Sequence, residues 1–215
     1  MKKTVIIQSI DQALDICEYV DAFIVPLKKF SINYGYTFDL DEVKKVKELG
    51  KEIFVAINKN IHNNEIAELK KVLLAVEKIG AKGIIFYDIA LVSLKENLGL
   101  KTSLVWAQEH LTTNYGTVNY WYDKGAEYAY LSSELTKEEI MEIALNSKAK
   151  LFLNVFGHVP MFTSRRHLVN NYLEYFNLEE NGKQKIIYKE EKRYPINDDE
   201  NGTTVYSDYI LNALD

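Results

Sequence analysis

Apolar residues gather along this chain into short, nearly continuous runs at residues 4–8, 22–25, 52–57, 83–86, 102–107, 127–131 and 150–156. Runs of that length, without alternation, predict strands covered on both faces, which is the mark of a parallel sheet. Between them, apolar positions recur at helical spacing over 12–20, 40–49, 65–79, 91–98, 114–124 and 136–145. Asp11 and Asp39 stand where they can cap the first two helices, and Thr136 with Glu139 makes a capping-box pattern. Gly50, Gly80, Gly99 and Gly125 fall where helices must stop, positions that favour left-handed backbone. The pattern predicts an α/β chain of about seven (β/α) units, TIM-barrel-like, with the eighth strand missing.

The tail breaks the rhythm. Residues 179–183 read as a turn, 184–189 as a strand, 193–203 as a polar loop and 204–207 as a second short strand. The pair predicts a C-terminal β-hairpin lying over the barrel mouth. Asp208 is placed to cap a final helix over 209–214. The expected division is therefore a barrel-like domain over 1–178, with the hairpin and final helix of 179–215 packed on it. Seven parallel strands leave the first and last with open sides, to be covered by the tail, by a second copy of the chain or by a distorted closure.

The segment 151–171 carries the densest candidate chemistry. Its strand is punctuated by Gly157 and Pro160, after which Thr163, Ser164, Arg165, Arg166 and His167 crowd the predicted start of a helix. Polar groups just past the C-terminal end of a buried strand are where α/β proteins place their sites. Ser164 or Thr163 is expected to cap that helix. Arg165 and Arg166, with His158 nearby, suit a carboxylate or phosphate. The bland reading of the two arginines is a solvated first turn, although cations there oppose the helix dipole.

Composition narrows the classes. The 215 residues are 47% hydrophobic, enough for a full core. A formal charge of −5 argues against a broad nucleic-acid face but leaves room for a local basic patch. The single cysteine, Cys17, excludes an intrachain disulfide and a four-cysteine cluster, points to a cytoplasmic setting, and reads as core packing. No apolar run is long enough to span a membrane, and no small-residue cleavage site follows the N-terminal lysines.

Four landmarks in order resemble the collagenase-like peptidases of family U32. They are Asp88 in the run 84–92, the segment 103–114 with Gln108, the segment 125–140 with Glu134, and the run 155–171. The resemblance implies a peptidase or hydrolase of unassigned mechanism, with Glu134, Asp88 and Gln108 as catalytic residues and Arg165, Arg166, Ser164 and His158 binding substrate. The family signature commonly reads E-x-F-x-H-G-x-x-C and later G-x-C. Here Phe152 stands at the glutamate, Phe156 at the histidine, Pro160 at the first cysteine and His167 at the second. Relatives that help hydroxylate ubiquinone hold an iron–sulfur cluster on four cysteines, which this chain lacks, and the resemblance implies a shortened, divergent member.

Other chemistry is thinner. Glu134 and Asp88 can form an acid/base pair, although Glu134 is also placed to serve the Thr136 cap. Metal ligation by His110, Glu134 and His158 has no HExxH-like spacing, so neither metal nor other cofactor is expected. His62 and His167 read as surface groups, and Asp198, Asp199 and Glu200 as a solvated turn. The aromatic run of Tyr115, Tyr120, Trp121, Tyr122, Tyr128 and Tyr130 reads as core and rim packing before base stacking. Three functions stay open: a peptidase; an RNA-modification protein acting in tRNA or rRNA hydroxylation; and a non-catalytic binding module. The expected partner is a peptide or an RNA-derived anionic ligand, with no membrane and with homo-oligomers possible through the open barrel edge.

Overall fold

The computed structural model describes residues 1–108, 111–179, 185–200 and 202–213. Glu109 and His110, residues 180–183 of the expected turn, and Gln184 at the start of the expected tail strand lie outside them. The chain divides into two compact units, Met1–Ser31 with Tyr36–Leu153, and Ile32–Gly35 with Asn154–Asp215.

The first unit is the predicted (β/α) repeat. Its strands are β1 (Thr4–Ile6), β2 (Ala22–Pro26), β3 (Glu52–Ile57), β4 (Gly83–Phe86), β5 (Ser103–Trp106), β6 (Tyr128–Tyr130) and β7 (Lys150–Phe152). They hydrogen-bond in sequence order as one parallel seven-stranded sheet. Helices α1 (Ile10–Ile16), α2 (Leu40–Glu48), α3 (Ile66–Ile79), α4 (Ala90–Leu98), α5 (Tyr115–Asp123) and α6 (Lys137–Asn146) alternate with them. The predicted capping box of Thr136 with Glu139 forms, and the predicted cap Asp39 goes further by closing a box of its own with Glu42. The first cap falls elsewhere: Ser9 Oγ, not Asp11, accepts the Gln12 N–H at 3.0 Å. All four helix-stopping glycines adopt positive φ.

Alternate strand residues face opposite ways. Phe23, Val25, Ile53, Val55, Ile57, Ile84, Phe86, Leu104 and Trp106 pack with helix residues such as Val43, Val46, Leu69, Leu73, Val76 and Leu91 in the main core. The opposite face carries Phe54, Tyr128, Tyr130 and Phe152, whose rings meet one another. Phe54 of β3 reaches Phe152 of β7, so the sheet is curled into an open half-barrel. Gly83 makes this possible, because a Cβ there would stand 2.9 Å from Phe54 Cδ1. Neither β1 nor β7 has a strand on its outer side among the described residues.

The second unit corrects several expectations. The apolar run does not continue as one strand to residue 156: β7 ends at Phe152, and a separate strand β8 (Phe156–Ser164) follows. Gly157 and Pro160 lie within β8 rather than ending a strand. Proline is tolerated there because β8 is the edge of a four-stranded antiparallel sheet ordered β8-β11-β10-β9, where a missing N–H costs no ladder bond. Helix α7 (Leu168–Tyr175) starts later than Thr163 or Ser164, with His167 at its N-cap position. The remaining strands are β9 (Lys185–Lys189), β10 (Lys192–Asp199) and β11 (Gly202–Asn212). The expected loop 193–203 is thus largely strand, and the expected helix 209–214 is strand as far as Asn212. A C-terminal hairpin is present but with other partners: β10, formed by the expected loop, stands between the two strands expected to pair, β9 and β11, and bonds to both, while β8 adds the fourth strand. Among the described residues these strands bond to one another and to none of the parallel sheet.

Candidate functional site

The parallel strands deliver three of the expected catalytic residues to one rim, the C-terminal end of the sheet, just after β4, β5 and β6. Asp88 is fully engaged there. Its Oδ2 accepts the Ile61 N–H and its Oδ1 the Ala90 N–H, each at 2.8 Å, so one carboxylate ties the loop after β3 to the start of α4. Gln108 follows β5, and its backbone carbonyl accepts the Leu111 N–H at 3.1 Å. Glu134 follows β6, is exposed, and its N–H donates to Ser132 Oγ at 3.3 Å. The Thr136 cap is closed by Glu139 rather than by Glu134.

The same rim holds a residue that the sequence pattern passes over. Lys59, two residues past β3, is buried with its ammonium 2.7 Å from Glu65 Oε1 and 5.4 Å from the centroid of the Phe30 ring. Glu65 Oε2 also accepts the His62 N–H at 2.8 Å, so His62, exposed as expected, also takes part in a capping box. A lysine directly after a buried strand, with a glutamate six residues on, was the available signal. Cys17 lies at the other end of the sheet, beyond α1, with Sγ 3.8 Å from the Leu49 carbonyl.

Ser164, Arg165, Arg166 and His158 belong to the second unit. Ser164 Oγ accepts the Arg166 N–H at 3.2 Å, forming a tight turn instead of a helix cap. Arg165 and Arg166 are exposed. His158 Nδ1 faces two backbone carbonyls, Ser207 at 2.9 Å and Tyr209 at 3.1 Å, and therefore carries its proton on that nitrogen. It thereby pins the irregular stretch of β11 where the pairing with β8 shifts register.

The start of α7 is filled by the protein's own anion. Asp198 Oδ2 accepts the Val169 N–H at 2.8 Å and the Asn170 N–H at 3.2 Å, while Thr203 Oγ1 accepts the Leu168 N–H at 2.8 Å. Asp198 Oδ1 lies 3.1 Å from His167 Nδ1. The Asp198 side chain is wholly buried, which corrects the solvated-turn expectation. Burial opposes its ionisation, but the N–H groups of Asn170 and Val169 and the His167 ring outweigh that and hold its carboxyl below the ordinary aspartate range. Any external anion near Arg165 and Arg166 must be held by side chains, since these helix N–H groups are taken.

The Peptidase family U32 model matches residues 10–215. The tRNA hydroxylation protein P2 of Bacillus subtilis (strain 168) is 30% identical over 223 residues, covering 96% of this chain and 72% of that protein. The tRNA hydroxylation protein P of Escherichia coli (strain K12) is 27% identical over 61% of this chain and 29% of its own length. Among solved structures, the U32 peptidase Mk0906 superposes with a TM-score of 0.62 at 15% identity, over 73% of this chain and 69% of that one. A tryptophan synthase chain from Pyrococcus furiosus follows with a TM-score of 0.52 at 14% identity, over 82% and 84% of the two chains, a likeness of barrel-type fold alone. No helix among the described residues is long and apolar enough to cross a membrane. The match over residues 10–215, with the 30% identity to a relative across 96% of the chain, makes this chain a member of peptidase family U32.

Proposed function

We propose that this chain acts in tRNA hydroxylation rather than in peptide cleavage. The observation that carries this is the 30% identity to tRNA hydroxylation protein P2 across 96% of the chain. The site supports it by what it withholds from a peptidase. The one thiol, Cys17, sits at the opposite end of the sheet from Asp88, Gln108 and Glu134, so it cannot serve there as a nucleophile. Asp88 spends both oxygens on backbone N–H groups, the bonding of a residue that shapes a rim. Within this reading Gln108 and Glu134 meet the substrate, Asp88 holds the rim's backbone, and Arg165 and Arg166 contact RNA phosphate.

The test is complementation of a bacterial strain deleted for its own tRNA hydroxylation protein. Nucleosides from bulk tRNA are quantified by mass spectrometry with and without this chain, and the purified chain is incubated in parallel with a peptide library. Recovery of the hydroxylated nucleoside is the expected result. Peptide cleavage without recovery would return the assignment to a peptidase.

A further inference from the structure

We propose that His167 and Asp198 form an acid–base dyad on the second unit, in which His167 Nε2 takes a proton from an O–H or N–H group of bound RNA. The inference rests on the tRNA reading and adds to it a residue that carries none of the roles assigned above. An exposed imidazole backed by a buried carboxylate is the arrangement that fixes a histidine's tautomer and offsets the charge it gains on protonation.

The two oxygens of Asp198 divide their work. Oδ2 takes both helix N–H groups, from Val169 and Asn170, and that alone closes the start of α7. Oδ1 is left for His167 Nδ1 at 3.1 Å. The imidazole is therefore not needed for the cap. Nor does it fill the core, since its side chain is 46% exposed while that of Asp198 is 0% exposed. A carboxylate accepts only, so the neutral ring carries its hydrogen on Nδ1 and presents a lone pair on Nε2. Among the described residues Nε2 has no hydrogen-bond partner.

The frame around the ring is rigid. Thr203 Oγ1 accepts from Leu168 N–H and donates to the Arg166 carbonyl at 2.9 Å, bracketing His167 from both sides in sequence. Gly202, next to Thr203, runs so close to Ser164 and Arg165 that a Cβ would collide with their backbone. A base must be held in this manner to work at a fixed position. The proposed step moves one proton: the ligand's O–H or N–H bond breaks, an Nε2–H bond forms, and Asp198 stays ionised against the imidazolium. Solvent then takes the proton back.

The complementation strain supplies the test, with wild type, His167→Gln and Asp198→Asn compared at matched expression. His167→Gln should lower the rate at which the hydroxylated nucleoside forms by about a hundredfold or more, the range for loss of a positioned acid–base group. Its melting temperature should stay within about 2 °C of wild type and its affinity for tRNA should be unchanged, because the ring is exposed. Asp198→Asn should fall in the same direction. Full activity in His167→Gln overturns the dyad while leaving the tRNA reading intact. Loss of tRNA affinity in that variant also overturns it, since the ring would then be a binding contact. A wild-type chain that restores nothing overturns the tRNA reading and the dyad together.

Discussion

The ring of Phe54 in β3 meets the ring of Phe152 in β7 edge-on, with centroids 5.0 Å apart and planes at 82°. Four strand places separate the two, which in a flat sheet is about 19 Å. The contact therefore measures the curl of the sheet. It also explains how seven strands bury an inner face without closing: Phe54, Tyr128, Tyr130 and Phe152 fill the concavity that an eighth strand would otherwise help to enclose.

Gly83 is the hinge of that packing. An added methyl would lie 2.9 Å from Phe54 Cδ1 and 3.3 Å from the Ser103 carbonyl, with a ring on one side and backbone on the other. Gly83→Ala should cost about 1–3 kcal/mol by overpacking, and Gly83→Val more. Urea unfolding followed by circular dichroism reads this as a lower midpoint at unchanged slope. A midpoint equal to wild type would mean that Phe54 does not occupy the inner face as described.

Asp88 separates a scaffolding role from a catalytic one. Removing its carboxylate in Asp88→Ala leaves the Ile61 and Ala90 N–H groups without their acceptors, at a cost of about 1–3 kcal/mol. Asp88→Asn keeps one carbonyl oxygen and should cost less. If Asp88 acted only on substrate, both variants would melt with wild type while losing activity.

The first unit was legible because its signals are local. Gly80 and Gly99 cap the helices just before them, Asp39 and Glu42 close a box three residues wide, and each buried run needs only its own length to read as a strand. The second unit depends on pairing across distance. Phe162 belongs to a strand because Val205 lies beside it, and nothing near Pro160 announces that β8 will be an edge. Residues 209–212 resemble the start of a helix, yet bonding to β8 makes them strand. The cap of α7 was hidden for the same reason, since Asp198 lies 28 residues from Asn170. Of the candidate site, Asp88 and Glu134 were marked by their place after strands and Gln108 by the family resemblance; the partners of His167 and Lys59 are supplied only by the fold.

Asp198 ties stability to pH. Its folded-state pKa lies below the ordinary aspartate value of 3.8, so the unfolded chain binds the proton more readily. The stabilisation is complete above the unfolded value and drains away as pH falls through about 4 toward the folded value. Thermal melts of wild type between pH 7 and pH 3 should therefore decline more steeply at the acid end than those of Asp198→Asn, which has no charge to lose. Parallel curves for the two proteins would show that the carboxylate is not ionised beneath α7.

Lys59 and Glu65 offer the sharpest energetic test. Their side chains are 8% and 21% exposed, and the ammonium–carboxylate distance is 2.7 Å. Lys59→Met keeps the stem's volume against Phe30 but takes the ammonium away from the partly buried Glu65 carboxylate. Breaking a fully buried pair costs about 3–5 kcal/mol, so partial exposure should bring this variant to about 1–3 kcal/mol. Glu65→Gln retains an acceptor for His62 and removes the charge, leaving the lysine uncompensated. The double variant Lys59→Met with Glu65→Gln buries no charge at all, and should be more stable than the sum of the single losses implies. A double-mutant cycle from urea unfolding measures that coupling. Strict additivity would mean the two groups do not interact, and that Lys59 is held beneath the rim by Phe30 and the surrounding apolar side chains alone.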